Sequence, residues 1–221
     1  MMKIYVFNFK SEPKRTFFAP EWNYFIFESF LENIDFENLT NFILSKKEYI
    51  LKLPLSRTSG NVDGYTNLGK DSTTARYSNY NVLTWDNDQI KKIKQQIINF
   101  HNEILNTMKQ PLVKNLYAQC WVNIMSKGQQ VSPHMHLTTP DTYLGGHICV
   151  KCKDTSTNYI NPINQINEPE VYYSNNEVGK ITLFQNNIPH YTSVHNSEEE
   201  RITIAFDLSL QKVTDNYIKL I

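Results

Sequence analysis

Apolar residues along this chain change their spacing near position 115. Before it, the clearest signals have helical period. Phe36, Leu39, Phe42 and Ile43 keep to one helix face over 36–46, and Asp35 stands where an N-cap belongs. Ile90, Ile93, Ile97, Phe100 and Ile104 form one stripe over 87–108, with Asp86 and Gln89 spaced as a capping box. Residues 3–9 read as a short strand, and the polar stretch 55–80 as a long loop. After 115 the helical period is lost. Short apolar runs at 116–125, 146–152, 171–173, 180–185 and 201–210 read as strands. Turn-forming segments at 126–128, 138–143, 158–169 and 186–189 separate them. This pattern predicts a mainly β fold with N-terminal helices: a jelly roll, or double-stranded β-helix, of cupin-like form. One domain, 1–221, is expected, with a helical and mixed part over 1–115 supporting a β core over 116–212. No helices alternate with the late strands, which excludes a doubly wound α/β sheet.

Composition narrows the function classes. Lysine plus arginine number 22 and aspartate plus glutamate 22, so no net charge favours nucleic acid or an anionic membrane. No apolar run approaches the ~20 residues of a bilayer span. The polar residues Asn8 and Lys10 interrupt the apolar N-terminus too early for a signal peptide, and the expected compartment is the cytoplasm. Three cysteines do not make a disulfide framework.

The candidate chemistry lies in the last third. His134 and His136 form an H-x-H pair, and His190 and Arg201 follow. On an extended strand, residues two apart share a face, so the pair aims two imidazoles at one point. A third histidine from a neighbouring strand completes one face of a metal's coordination sphere. Imidazole suits Fe, Zn, Cu and Ni alike. Arg201 narrows the choice, because a guanidinium fork is suited to hold a carboxylate. Arg201 and Thr203 share a strand face and can bind one carboxylate together. Buried without a partner, Arg201 would be costly, so an inward Arg201 needs an anion.

The residues around these four carry a family pattern. Trp121-Val122-Asn123 precedes His134-Met135-His136; Gly179-Lys180-Ile181-Thr182-Leu183-Phe184 leads to His190; Arg201-Ile202-Thr203-Ile204-Ala205-Phe206 closes the set. Together with Asn61-Val62-Asp63-Gly64-Tyr65-Thr66 upstream, this resembles the 2OG-Fe(II) oxygenases of phages and marine bacteria, relatives of the prolyl hydroxylases. The resemblance covers about 60–210. It implies a metal between two sheets, with Fe(II), 2-oxoglutarate and O2 used to oxidise an unknown substrate by hydroxylation. If phage-encoded, the chain would act in the host cytoplasm. The resemblance assigns His134, His136 and His190 to the metal and Arg201, Thr203 and Asn123 to the cosubstrate; Trp121, on the strand face of Asn123, is core filler or cavity wall, and Trp121 and Tyr143 are the candidate substrate contacts. Common relatives carry aspartate where this chain has His136, so the third ligand is His136 or, from the following loop, Asp141. Strand geometry favours His136.

Two other readings stand beside this one. Gly128, five residues, His134-x-His136 and then Asp141 nearly reproduce the first cupin motif, but Gln185 and Asn187 replace the second motif's Pro and Gly, and a cupin has no role for Arg201. A binding module on the same fold is the third. His147 and His195 do not fit the ligand spacing and are expected to be structural or solvent-facing; His101 is expected on the surface of its helix. Cys149-Val150-Lys151-Cys152 is a CxxC whose two thiols, three apart on a strand, should face opposite ways.

Overall fold

The computed structural model describes residues 3–56, 66–136, 142–163 and 170–221. Two antiparallel sheets face one another. The larger is built from β1 (Tyr5–Lys10), β2 (Asn23–Phe30), β3 (Tyr117–Met125), β4 (Thr142–Lys151), β7 (Lys180–Gln185), β9 (Arg201–Ser209) and β10 (Ile218–Lys219), in the order β1-β2-β7-β4-β9-β3-β10. The smaller has β5 (Ser156–Ile160), β6 (Val171–Asn175) and β8 (His190–Thr192), in the order β6-β5-β8. This is the mainly β, jelly-roll architecture that the strand spacing predicts.

Helices α1 (Phe36–Leu51) and α2 (Asp88–Thr107) cover the outer face of the large sheet. Ile90, Ile93, Ile97, Phe100 and Ile104 of α2 are buried in one cluster with Val122, Ile148, Leu183 and Ile204 of the sheet. The inner face is covered by the small sheet. Strands β3, β7 and β9 are therefore buried along nearly their whole length rather than on alternate residues. Asp35 caps α1 by accepting from the Asn38 amide, as its position predicts. The cap of α2 is Asn87, whose side chain accepts from the amides of Gln89 and Ile90; Asp86 instead pairs with Lys91.

Several elements differ from the sequence reading. The N-terminal part contributes β2 as well as β1, and β2 pairs directly with β7 in register Ile26↔Phe184 to Phe30↔Lys180. Residues 156–160, read partly as turn, form β5; its Thr157 and Tyr159 are buried between neighbours on both sides. The described part of the 55–80 stretch is not an open loop. A 3-10 helix, Thr74–Asn79, packs on β3, with the Thr73 hydroxyl donating to the Val122 carbonyl and the Thr74 hydroxyl to Asn123 Oδ1. Within that stretch, Asn61 to Tyr65 lie outside the described residues. No described helix is long and apolar enough to cross a membrane.

Candidate metal and carboxylate site

Register sets what lines the space between the sheets. Directly paired residues in an antiparallel sheet point to the same side. On β9 and β3 the pairs Arg201↔Met125, Thr203↔Asn123, Ala205↔Trp121 and Asp207↔Gln119 all share one face. On β4 the residues facing these are Gly145, His147 and Cys149. This strip faces β5 and β8, where His190 and Tyr159 point back at it.

The H-M-H segment is not part of a regular strand. It is an extended segment tied to β8 by a single two-way bridge: the His134 amide donates to the His190 carbonyl (3.0 Å), and the His190 amide to the His134 carbonyl (2.9 Å). The His136 amide donates to the Asn186 carbonyl. Residues two apart still share a side, so both imidazoles enter the same space. Ring centroids lie 4.3 Å apart for His134 and His190, 5.0 Å for His136 and His190, and 5.7 Å for His134 and His136. One ring nitrogen from each lies within 4.8 Å of the other two.

The hydrogen bonds of these rings orient them. Nδ1 of His134 meets the Ser132 carbonyl at 2.9 Å, and Nδ1 of His190 meets the Ile188 carbonyl at 3.0 Å. Nδ1 of His136 meets a carboxylate oxygen of Asp207. All three partners are acceptors, so each Nδ1 carries the proton and each Nε2 keeps its lone pair free. Burial holds His134 at a pKa of about 4 and His190 well below the usual imidazole value, each opposed further by the neighbouring histidines. Both are neutral at physiological pH, the form that binds metal. Three convergent imidazoles fit a divalent transition metal such as Fe(II).

Gly145 makes room for this arrangement. A Cβ built there would lie 2.8 Å from His136 Nδ1 and 2.9 Å from Asn186 Oδ1, closer than any side chain tolerates. The His136 ring therefore packs against the β4 backbone at Gly145, where a side chain would have to displace it or Asn186.

Arg201 is 2% exposed. Its Nη1 reaches the Met125 sulfur at 3.1 Å, and its Nε has no partner among the described residues. No carboxylate in the described part of the chain pairs with it. A buried guanidinium of this kind is suited to hold an anion, because an uncompensated buried charge is costly. Thr203 lies on the same face, paired with Asn123, as expected.

The remaining expected site residues divide. The Trp121 ring lies 6.1 Å from that of His136, and the Tyr77 ring of the 3-10 helix packs beside it at 5.4 Å. Tyr143 is elsewhere. A register shift between Thr142 and Leu144 turns it to the helix side, where its hydroxyl meets His101 Nε2 at 2.9 Å. The expectation of a substrate contact at Tyr143 is thereby corrected, as is that of a surface His101, which is fully buried. His147, against Tyr159, and His195, against the Glu199 carbonyl, are structural. Asp141 lies outside the described residues. The sequence reading missed Asp207. Its signal was available: it stands four residues after Thr203, on the same strand face.

Residues 119–207 match the model of the family described as "Putative 2OG-Fe(II) oxygenase". No curated protein matches the chain in sequence. Among solved structures, the epimerase SnoN, in complex with Fe3+, alpha ketoglutarate and nogalamycin RO, has a similar fold: 7% identity, 89% of this chain, 94% of that one, TM-score 0.55. The carbocyclase SnoK from nogalamycin biosynthesis is similar over 83% of this chain and 79% of its own, at 8% identity and TM-score 0.50. An oxidoreductase of the 2OG-Fe(II) oxygenase family from Burkholderia pseudomallei aligns over 57% of this chain at 16% identity and TM-score 0.43; the chain spans 60% of that protein's length. The stretch that resembles the 2OG-Fe(II) oxygenase family contains all three clustered histidines, Asp207 and Arg201.

Proposed function

We propose that this protein is an Fe(II)- and 2-oxoglutarate-dependent oxygenase that hydroxylates its substrate. His134, His136 and His190 hold Fe(II) through their Nε2 atoms. Arg201 and Thr203 hold the far carboxylate of 2-oxoglutarate, with Asn123 beside them. When bound, the metal and cosubstrate supply an oxidation in which O2 is consumed and 2-oxoglutarate leaves as succinate and CO2.

The chain's own part is ligation, orientation and exclusion of water. The Ser132 and Ile188 carbonyls and the Asp207 carboxylate fix the three ring orientations before metal arrives. Phe184, whose ring lies 4.6 Å from that of His190, and Tyr159 close the inner side against water. Trp121, buried with its ring 6.1 Å from that of His136, is suited to form part of the cavity wall.

The observation that carries this reading is the buried Arg201, which has no carboxylate partner among the described residues, on the sheet face that looks toward the histidine cluster. A cupin or a binding module needs no such cation. The test is anaerobic binding followed by turnover. Purified protein should bind one Fe(II), then 2-oxoglutarate, and on exposure to O2 should form succinate in a metal-dependent way. Arg201→Ala should keep the metal and lose 2-oxoglutarate. If the wild type with Fe(II) binds no 2-oxoglutarate, the proposal is wrong.

A further inference from the structure

Cys149 and Cys152 belong on opposite faces if β4 alternates regularly. It does not. Cys149 pairs with Thr203, but Lys151 pairs with Ile202, so β4 carries one extra residue at this point. Such a bulge reverses the alternation. Lys151 joins the outward side of Ile202, and Cys152 returns to the inward side, next in register to Arg201. The register thus sets both side chains on the inward face, Cys149 opposite Thr203 and Cys152 one step beyond the Lys151↔Ile202 pair. Cys149 is fully buried, with Asn176 Oδ1 3.5 Å away, whereas Cys152 is half-buried and open to solvent on one side. Both feel the charges of Arg201 and Lys180.

We propose that Cys149 and Cys152 are a redox-modification site, a dithiol that a hydroperoxide converts to an intrachain disulfide beside the Arg201 pocket. The division of labour follows from the surroundings. The neighbouring Cys149 thiol, followed by the positive charge of Arg201, holds the Cys152 thiol below its ordinary range against the opposing effect of burial. Cys152 is thus the exposed, more acidic sulfur and attacks the oxidant. Its sulfur takes one peroxide oxygen, the O–O bond breaks, and the leaving hydroxide picks up a proton to become water. Cys149 then attacks the sulfur of the resulting sulfenic acid. The S–S bond forms, the S–O bond breaks, and the departing hydroxide takes the Cys149 proton as a second water. Two thiols are oxidised and one peroxide is reduced. The pair needs neither metal nor 2-oxoglutarate for this, so it stands apart from the oxygenase reading.

The test uses metal-free, full-length protein and hydrogen peroxide. Three cysteines are present in the chain. Thiol counting after denaturation should fall from three to one. The intact mass should fall by two hydrogen atoms, and peptide mapping should join Cys149 to Cys152, with thiol reductant restoring both. Cys120→Ser should behave as wild type. Cys149→Ser should stop at a sulfenic acid on Cys152 that a dimedone probe traps, and Cys152→Ser should form no intrachain disulfide. The wild-type mapping decides the matter even if a serine variant fails to fold. The inference is overturned if all three thiols persist, if Cys152 gains oxygen without losing hydrogen, or if the cross-link joins two chains.

Discussion

Replacing Asp207 by asparagine tests whether a carboxylate behind His136 strengthens the metal site. The three clustered histidines bring no charged ligand of their own, and Asp207 is a carboxylate in direct contact with one of them. Its side chain is 17% exposed and that of His136 8%, so solvent screens the pair little. Asparagine keeps an acceptor oxygen for the Nδ1 proton but removes the charge that makes the imidazole a better donor at Nε2. A hydrogen bond to a charged group contributes about 1.5–3 kcal/mol. Loss of such a partner typically weakens metal binding about 10–100-fold. The two scales agree, since tenfold is about 1.4 kcal/mol. Because the acceptor survives, Asp207→Asn belongs at the lower end, about tenfold. Asp207→Ala leaves the Nδ1 proton unpartnered and belongs at the upper end. The assay is anaerobic competition for Fe(II) or Co(II) against a chelator of known affinity, with thermal unfolding of the metal-free proteins as control. If Asp207→Asn binds metal as tightly as wild type while His136→Ala does not, His136 is a ligand but Asp207 contributes nothing to it.

Three other perturbations have defined outcomes. Gly145→Ala forces a methyl onto His136 and Asn186, so metal affinity should drop while the fold loses only the ~1–3 kcal/mol of an overpacked site; unchanged metal binding would show that His136 can move aside freely. Arg201→Met removes a buried charge with no carboxylate partner among the described residues, so metal-free stability in urea should hold or rise while 2-oxoglutarate binding disappears; a strongly destabilised variant would mean that the guanidinium has a structural partner instead. Burial, then Arg201 and Lys180, pushes His147 down to about 3, and burial lowers His190 well below the usual value. Their folded values lie below the unfolded one, so the unfolded chain takes up protons first. Stability of the metal-free protein is full above about pH 6.5 and falls below it by up to about 1.4 kcal/mol per pH unit for each group. Urea midpoints that stay level between neutral pH and about pH 5 would contradict this.

The parts of the site that the sequence made legible are those that depend on local period. The H-x-H pair needs only that residues two apart share a side, and this holds even though His134–His136 is an extended segment held by one bridge rather than a strand. Arg201 and Thr203 obey the same rule on β9. The errors have a common cause in register. Two bulges in β4, one between Thr142 and Leu144 and one between Cys149 and Lys151, reverse the alternation at each end of the strand. The first turns Tyr143 away from the histidines and onto His101; the second brings together two thiols that regular alternation separates. Neither bulge is marked by a glycine or proline at its own position, and each depends on pairing with β9, some sixty residues away. Strand β5 was hidden for a different reason: its Tyr159 and Ile160 follow Ser156, Thr157 and Asn158, and only partners on both sides identify it, whereas β2 carries an unbroken apolar run, Tyr24 to Phe27, that the sequence reading passed over.

The same dependence on pairing explains how a site can lack a carboxylate ligand on the H-x-H segment and still bring a negative charge to the cluster. Common relatives would carry that charge two residues after the first histidine, in contact with the metal. Here position 136 is a histidine, and the carboxylate is Asp207, on β9 directly opposite Gly145. The exchange requires three residues from three segments. The His136 ring must pack against the β4 backbone, Gly145 must have no side chain beneath it, and Asp207 must rise from the neighbouring strand to meet Nδ1. Each is explicable only through the others. A glycine at 145 has no reason of its own in a strand interior, where it weakens pairing. A carboxylate at 207, largely buried, would be costly without the Nδ1 proton. A substitution series should therefore be non-additive. Once Gly145→Ala has displaced the ring, Asp207→Asn should cost little more in metal affinity, because the contact it removes is already broken. Full additivity of the two losses would mean that glycine and aspartate act on the site separately.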